Sequence, residues 1–240
     1  MRLSRFYVSS ELTVDSTLEL SKEVSGHIHR VLRLKVDNEI QLFNGDGSNY
    51  QASIISTGKT VSVNIQSSIS GKNESTLAIH LGQAISRGEK MDFTLQKAVE
   101  LGVQTITPLI SERVQFRFDE KRIKRKMSHW QKIIESACEQ SGRTQIPQLN
   151  QPLELQKWLT LNDQPGLLFE PNATARLVEI EPTSAVRLLV GPEGGLSDNE
   201  IQTALENTSF KAISLGPRIL RTETAALAAI SILQSTFGDI

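Results

Sequence analysis

The 240-residue chain has the length of one or two domains. With 38% hydrophobic and 22% charged residues it has a folded protein's composition, which excludes disorder as its main state. Its net charge of −1 hides an uneven distribution: residues 1–70 carry seven basic and seven acidic side chains, residues 71–150 thirteen and nine, and residues 151–240 six and eleven.

From Phe6 to about Ile69 the pattern is one of short alternating strands: Phe6 to Val8, Glu39 to Phe43, Tyr50 to Ile55 and Thr60 to Ile65. Asn44-Gly45-Asp46-Gly47 predicts a hairpin turn, because Gly and Asn tolerate the positive φ of tight turns. A helical piece is expected around Ser16 to Val24, and the β-rich part, residues 1–70, reads as a small domain of its own.

After Thr76 the period changes. Leu77 to Leu81 suits a buried strand, and Lys90 to Leu101 a helix ended by Gly102. The alternation continues with a strand at Thr105 to Ile110, a long helix at Asp119 to Ser141, and strands at Gly166 to Phe169 and Val186 to Val190. Ser197-Asp198-Asn199-Glu200 has the spacing of a capping box opening a helix to about Asn207. A strand at Lys211 to Leu215 and a helix capped by Thr222 and running to about Thr236 close the series. Alternating strands and helices over residues 71–240 predict an α/β domain, a parallel sheet with helices on both faces.

Candidate chemistry collects at two corners. Leu189-Val190-Gly191-Pro192-Glu193-Gly194-Gly195 is a buried strand running into a glycine-rich turn before a capped helix, the place where open α/β sheets bind ligands. The plain alternative is a turn whose glycines only satisfy φ. It matches neither dinucleotide nor P-loop fingerprints. Ser214-Leu215-Gly216-Pro217-Arg218-Ile219-Leu220-Arg221 is a second strand-to-glycine corner, and the two could wall one pocket. Arg218 and Arg221 stand near a helix start, whose dipole repels cations, so anionic partners are expected, either phosphates or carboxylates such as Glu193 and Glu223.

Lys121-Arg122-Ile123-Lys124-Arg125-Lys126 puts five cations into six residues of one helix, either a nucleic-acid footprint or a solvated face. The single cysteine, Cys138, falls on that helix's apolar stripe with Trp130, Ile133, Ile134 and Ala137, so it reads as core, and it excludes an internal disulfide. With four scattered histidines no metal site is expected. No apolar run approaches the roughly 18 residues of a membrane span, and the N-terminus lacks a secretory signal, so a cytoplasmic location is expected.

Together, Gly191-Pro192-Glu193-Gly194-Gly195-Leu196-Ser197 and Leu215-Gly216-Pro217-Arg218-Ile219-Leu220-Arg221-Thr222-Glu223-Thr224-Ala225 resemble the two signatures of the 16S ribosomal-RNA uracil-N3 methyltransferase family. Arg5-Phe6-Tyr7, His29-Arg30-Val31-Leu32-Arg33 and Glu139-Gln140-Ser141-Gly142-Arg143 add to the likeness, which spans nearly the whole chain. The resemblance implies a PUA-like β-barrel followed by a knotted SPOUT methyltransferase domain, a homodimer, and S-adenosylmethionine as methyl donor. The donor would lie among Leu168, Phe169 and Glu170, among Leu189 to Gly195, and among Ser214, Leu215, Gly216, Ile219 and Leu220. Arg221 is then expected to stabilise the uracil anion, with Arg143 second and Glu139 as a proton carrier. Arg5, Arg30, Arg33 and the basic helix, through Lys121, Arg122, Lys124 and Arg125, would grip the 16S ribosomal RNA of the small subunit. Two rival readings fit the same residues: a non-enzymatic RNA-binding assembly factor, and a related methyltransferase acting on ribose 2′-hydroxyls or transfer RNA.

Overall fold

The computed structural model describes residues 3–114, 119–161, 164–171, 173–181, 183–206 and 209–240. The chain divides into two units: Met1–Glu74 with Cys138–Ile146, and Ser75–Ala137 with Pro147–Ile240.

In the first unit, strands β1 (Ser4–Tyr7), β2 (Thr17–Glu19), β3 (Glu39–Phe43), β4 (Ser48–Thr57) and β5 (Val61–Ser70) form a five-stranded sheet in the order β1-β3-β4-β5-β2. Only the β1–β3 pair is parallel. The expected turn between β3 and β4 forms with Gly45 at φ 96° and Gly47 at φ 92°. Asn44 and Asp46 brace it by accepting the N–H of Asp46 and Ser48. Phe6, Ile40, Leu42, Ile54, Val63 and Ile65 alternate inward to make its core.

The helix expected at Ser16 to Val24 is displaced. Thr17–Glu19 pairs with β5 as edge strand β2, and helix α1 (Lys22–His27) starts only after Ser21, whose hydroxyl accepts the Val24 N–H. It continues as a π turn over Ile28–Leu32 and stops at Arg33, which is left-handed at φ 53°.

Arg5 and Arg143 organise the rest of this unit. Arg5 donates to the carbonyls of Cys138 and Arg143 at 2.8 and 3.0 Å and to Asn49 at 2.9 Å, with its guanidinium over the Phe43 ring. Arg143, buried, binds Glu74 through Nε at 2.9 Å and Nη2 at 2.8 Å. The other Glu74 oxygen accepts the N–H of Thr144 and Gln145.

The second unit is a parallel α/β layer structure. Its strands are β6 (Ala78–Ala84), β7 (Thr105–Ile110), β8 (Gln148–Leu149), β9 (Leu153–Glu154), β10 (Gly166–Phe169), β11 (Ala185–Val190) and β12 (Phe210–Ile213). They run in the order β12-β10-β11-β6-β7-β8, with β9 also paired to β7. The helices are α2 (Glu89–Glu100), α3 (Glu120–Ser141), α4 (Leu155–Leu159), α5 (Asp198–Glu206) and α6 (Thr222–Phe237), the end of α3 belonging to the first unit. Leu168 and Leu189 pack with Trp158 of α4 and Ala204 of α5 on one face. By the strand's period of two, Val186 and Leu188 turn to the opposite face, where α6 packs on β11 and against α2. On α3 the stripe Trp130, Ile134, Ala137 and Cys138 is buried. Among the described residues no helix is long and apolar enough to cross a membrane.

A polar cluster fixes the amino-terminal edge of this sheet. Arg187 of β11 is wholly buried and donates to the carbonyls of Trp158 and Leu159 at the end of α4 and to Ser209 Oγ. Its guanidinium lies 5.2 Å from the Trp158 ring centre and 4.7 Å from that of Phe210. Across the ladder sits His80, whose Nε2 accepts the Trp158 indole N–H at 3.2 Å and lies 2.8 Å from Thr107 Oγ1. The indole passes so close to Gly82 that any β-carbon there would collide with it.

Burial, reinforced by the Arg187 charge, lowers the His80 pKa to about 4. Between that value and the ordinary 6.5 the unfolded chain binds the proton that the folded one refuses, so stability is full above about pH 6.5 and falls as the pH drops toward 4. Urea unfolding between pH 7 and 4 should show a loss on the order of 3 kcal/mol from this group, and His80→Gln should flatten that part of the profile.

Candidate active site

The carboxyl ends of β10 and β11, with the loop after β12, enclose a cavity of about 400 Å3, within the size range of small-molecule sites. Phe169 to Pro171 form one wall, Val190 to Glu193 with Gly195 and Leu196 a second, and Ile219 to Thr222 with Ala225 a third; Lys90 and Ile201 complete the lining.

Each wall is held by specific bonds. The Thr222 hydroxyl, at the first residue of α6, donates to the Gly191 carbonyl at 2.6 Å and accepts from Gln83 Nε2 at 2.9 Å. Gln83, wholly buried at the end of β6, also donates to the Ala84 carbonyl. One hydroxyl therefore joins the ends of β6 and β11 to the start of α6.

Within the glycine corner, the Gly195 N–H donates to the Pro192 carbonyl, which closes a turn with Gly195 at φ 71°. Arg113 Nη1 donates to the Gly194 carbonyl at 2.8 Å. Glu193 accepts the Arg87 N–H at 3.1 Å and meets Lys90 Nζ at 3.4 Å. Partial burial would raise the Glu193 pKa, but its own backbone N–H, that of Arg87 and the Lys90 ammonium outweigh burial and hold it below the usual value.

The capping box forms. Ser197 N–H donates to Glu200 Oε2 at 2.8 Å, Glu200 N–H donates to Ser197 Oγ at 3.1 Å, and the second Glu200 oxygen accepts the Glu112 N–H. The corner after β12 is set by Gly216 at φ 107°, whose N–H donates to Ser214 Oγ.

Of the residues expected at a cofactor, Phe169, Glu170, Val190, Gly191, Pro192, Glu193, Gly195, Ile219 and Leu220 line the cavity. Leu168 and Leu189 lie in the core beneath it, Gly194 lines a neighbouring cleft, and Ser214, Leu215 and Gly216 shape the third wall without lining it. Arg221 lines the cavity, exposed, at the amino end of α6; Arg218 is exposed and does not line it.

Arg143 and Glu139 are placed in the first unit, where Arg143 pairs with Glu74 and Glu139 accepts the Tyr7 N–H at 2.9 Å. Arg30 and Arg33 are exposed on and just after the π turn. Lys90, Leu196, Ile201, Thr222 and Ala225 line the cavity beyond the residues expected there, although Leu196 lies in the first signature and Thr222 and Ala225 in the second.

Thr222→Val removes the hydroxyl at nearly constant volume and leaves the Gly191 carbonyl and the Gln83 amide without their partner. The urea midpoint should fall by the equivalent of about 1 to 3 kcal/mol, and Thr222→Ser should recover most of it.

The RNA methyltransferase domain family matches residues 73–234, and the RNA methyltransferase PUA domain family matches residues 20–66. Ribosomal RNA small subunit methyltransferase E of Buchnera aphidicola subsp. Schizaphis graminum is 40% identical over 100% of this chain and 98% of its own length. The protein of that name from Neisseria gonorrhoeae, solved bound to S-adenosylmethionine, is 40% identical with a TM-score of 0.93 over 100% of both chains. A Legionella pneumophila protein solved with S-adenosylmethionine as bound cofactor is 43% identical with a TM-score of 0.97, again over 100% of both chains. The chain therefore belongs to the RNA methyltransferase family, among relatives that carry the name ribosomal RNA small subunit methyltransferase E.

Proposed function

We propose that this protein transfers the methyl group of S-adenosylmethionine to N3 of a uridine in the 16S ribosomal RNA of the small subunit. The observation that carries the reading is the meeting of the two glycine corners in one cavity with Arg221 in its wall. The residues present suit the donor. A volume of about 400 Å3 accepts a nucleoside-sized molecule, and at Gly191 a β-carbon would stand 3.1 Å from the Leu196 side chain, so glycine lets the corner close on Leu196, which itself lines the cavity. Backbone and apolar side chains of Phe169 to Pro171, Val190 to Pro192 and Ile219 to Leu220 would hold it.

When bound, the donor supplies a methyl group on a sulfonium, an electrophile that needs only alignment. N3 of uracil lies on the Watson–Crick edge, so the target base must be unpaired or extruded to enter. Its imide nitrogen carries a proton and is a poor nucleophile until that proton leaves. In this reading Arg221, in the cavity wall, stabilises the resulting anion. Arg143 has its guanidinium engaged by Glu74, so this reading ranks Arg221 before it for the anion, while the proton, which an arginine cannot accept, stays assigned to Glu139, one oxygen of which accepts the Tyr7 N–H.

RNA capture is assigned to residues 1–70 through Arg30 and Arg33, and to the basic turn of α3 through Lys121, Arg122, Lys124 and Arg125. The Arg5 guanidinium is already spent on protein oxygens and the Phe43 ring. A homodimer, a knotted chain path and a cytoplasmic location belong to the same reading, the last because the proposed substrate is ribosomal.

Labelled methyl transfer to small subunits from cells lacking this protein should yield N3-methyluridine in 16S RNA; label on ribose, on transfer RNA or nowhere would overturn the assignment. Arg221→Ala should lower kcat by roughly 100-fold or more while donor affinity changes only a fewfold, and unaltered turnover would remove Arg221 from the chemistry.

A further inference from the structure

A second concavity lies at the same carboxyl edge of the sheet. It measures about 930 Å3, is framed by the loops after β6 and β7, and shares Lys90, Pro192 and Glu193 with the first cavity. Its wall is cationic: Arg87 comes from the first loop, Arg113 from the second, and Arg122 and Lys126 from α3. Of the basic run on that helix, only Arg122 and Lys126 line the cleft among the described residues, as their spacing of four puts both on one face. Against these and Lys90 stand two carboxylates, Glu112 and Glu193, and Glu193 is already met by Lys90 and the Arg87 N–H. The cleft thus carries a net positive charge beside the methyl-transfer cavity.

We propose that this cleft seats the phosphates flanking the target uridine, with Arg87 and Arg113 as the gripping pair. The inference rests on the RNA-methylating function proposed above. A base brought to the mouth of the first cavity, against the donor held there, leaves its sugar-phosphate chain outside, and the adjoining concavity is where that chain can continue. A guanidinium offers a planar fork of N–H donors matched to phosphate oxygens. Arg113 uses Nη1 on the Gly194 carbonyl, and its side chain lies along Gly194 and Gly195. A phosphate captured there would be held by the same side chain that holds the glycine corner. Such contacts orient the substrate and leave sequence choice to the base pocket.

The test is binding and methylation of small subunits from cells lacking the protein, across a range of salt, by the wild type, Arg87→Ala, Arg113→Ala, Arg113→Lys and the charge control Lys211→Ala on β12. Arg87→Ala and Arg113→Ala should each weaken subunit binding about tenfold near 0.1 M salt and lower the slope of log affinity against log salt by about 0.7 to 1. KM for subunits should rise more than kcat falls, Arg87→Ala should leave donor binding within about twofold, and Arg113→Lys should recover part of the loss. Lys211→Ala should behave as wild type. Unchanged affinity and slope in both alanine variants would overturn the assignment, as would an equal loss in Lys211→Ala. A wild type that transfers no methyl to N3 while both slopes still drop would refute the function proposed above and leave the cleft as an RNA seat.

Discussion

The Thr222 hydroxyl is the contact on which the site depends. It sits where three elements converge, taking a hydrogen from buried Gln83 and giving its own to the Gly191 carbonyl. A carbonyl just past the end of a buried strand has left the sheet's ladder and needs another partner, which the Thr222 hydroxyl supplies. By supplying it from the first residue of α6, the protein fixes the distance between the glycine corner and Arg221, one residue before it in sequence. The cavity walls are thus referred to one another through a side chain that does no chemistry.

The two edges of the parallel sheet divide the labour. At the carboxyl edge glycines, prolines and backbone groups make a vessel whose charged lining residues are Lys90, Glu170, Glu193 and Arg221, with the cationic cleft beside it. At the amino-terminal edge polar groups serve the packing: Arg187 closes the end of α4 through its two terminal nitrogens, and His80 stays neutral between Trp158 and Thr107. An arginine in the middle of an apolar strand has little sense in sequence terms until the helix carbonyls it closes are known.

Long elements and local motifs were legible in the sequence. The parallel strands at Thr105–Ile110 and Gly166–Phe169 follow from their apolar runs, and the Ser197–Glu200 box from four consecutive residues. What escaped depended on distant partners. The edge strand at Thr17–Glu19 exists because β5 pairs with it, and α4 is a helix of five residues, too short to show a period. Arg143 drew attention through its sequence neighbours, while Glu74, which pairs with it, lies 69 residues away. Arg87 and Arg113 belong to no basic run; they become neighbours because β6 and β7 are adjacent in the sheet.

The first unit is discontinuous, and this bears on how the chain acquires its shape during synthesis. Arg5 needs the carbonyls of Cys138 and Arg143, and Glu74 needs the N–H groups of Thr144 and Gln145. A nascent chain emerging in order exposes the amino-terminal strands long before residue 146 leaves the ribosome's exit tunnel. Until then Arg5 lacks its carbonyl acceptors and Glu74 its N–H donors, so the amino-terminal module has to wait for more than half of the polypeptide before it can be completed.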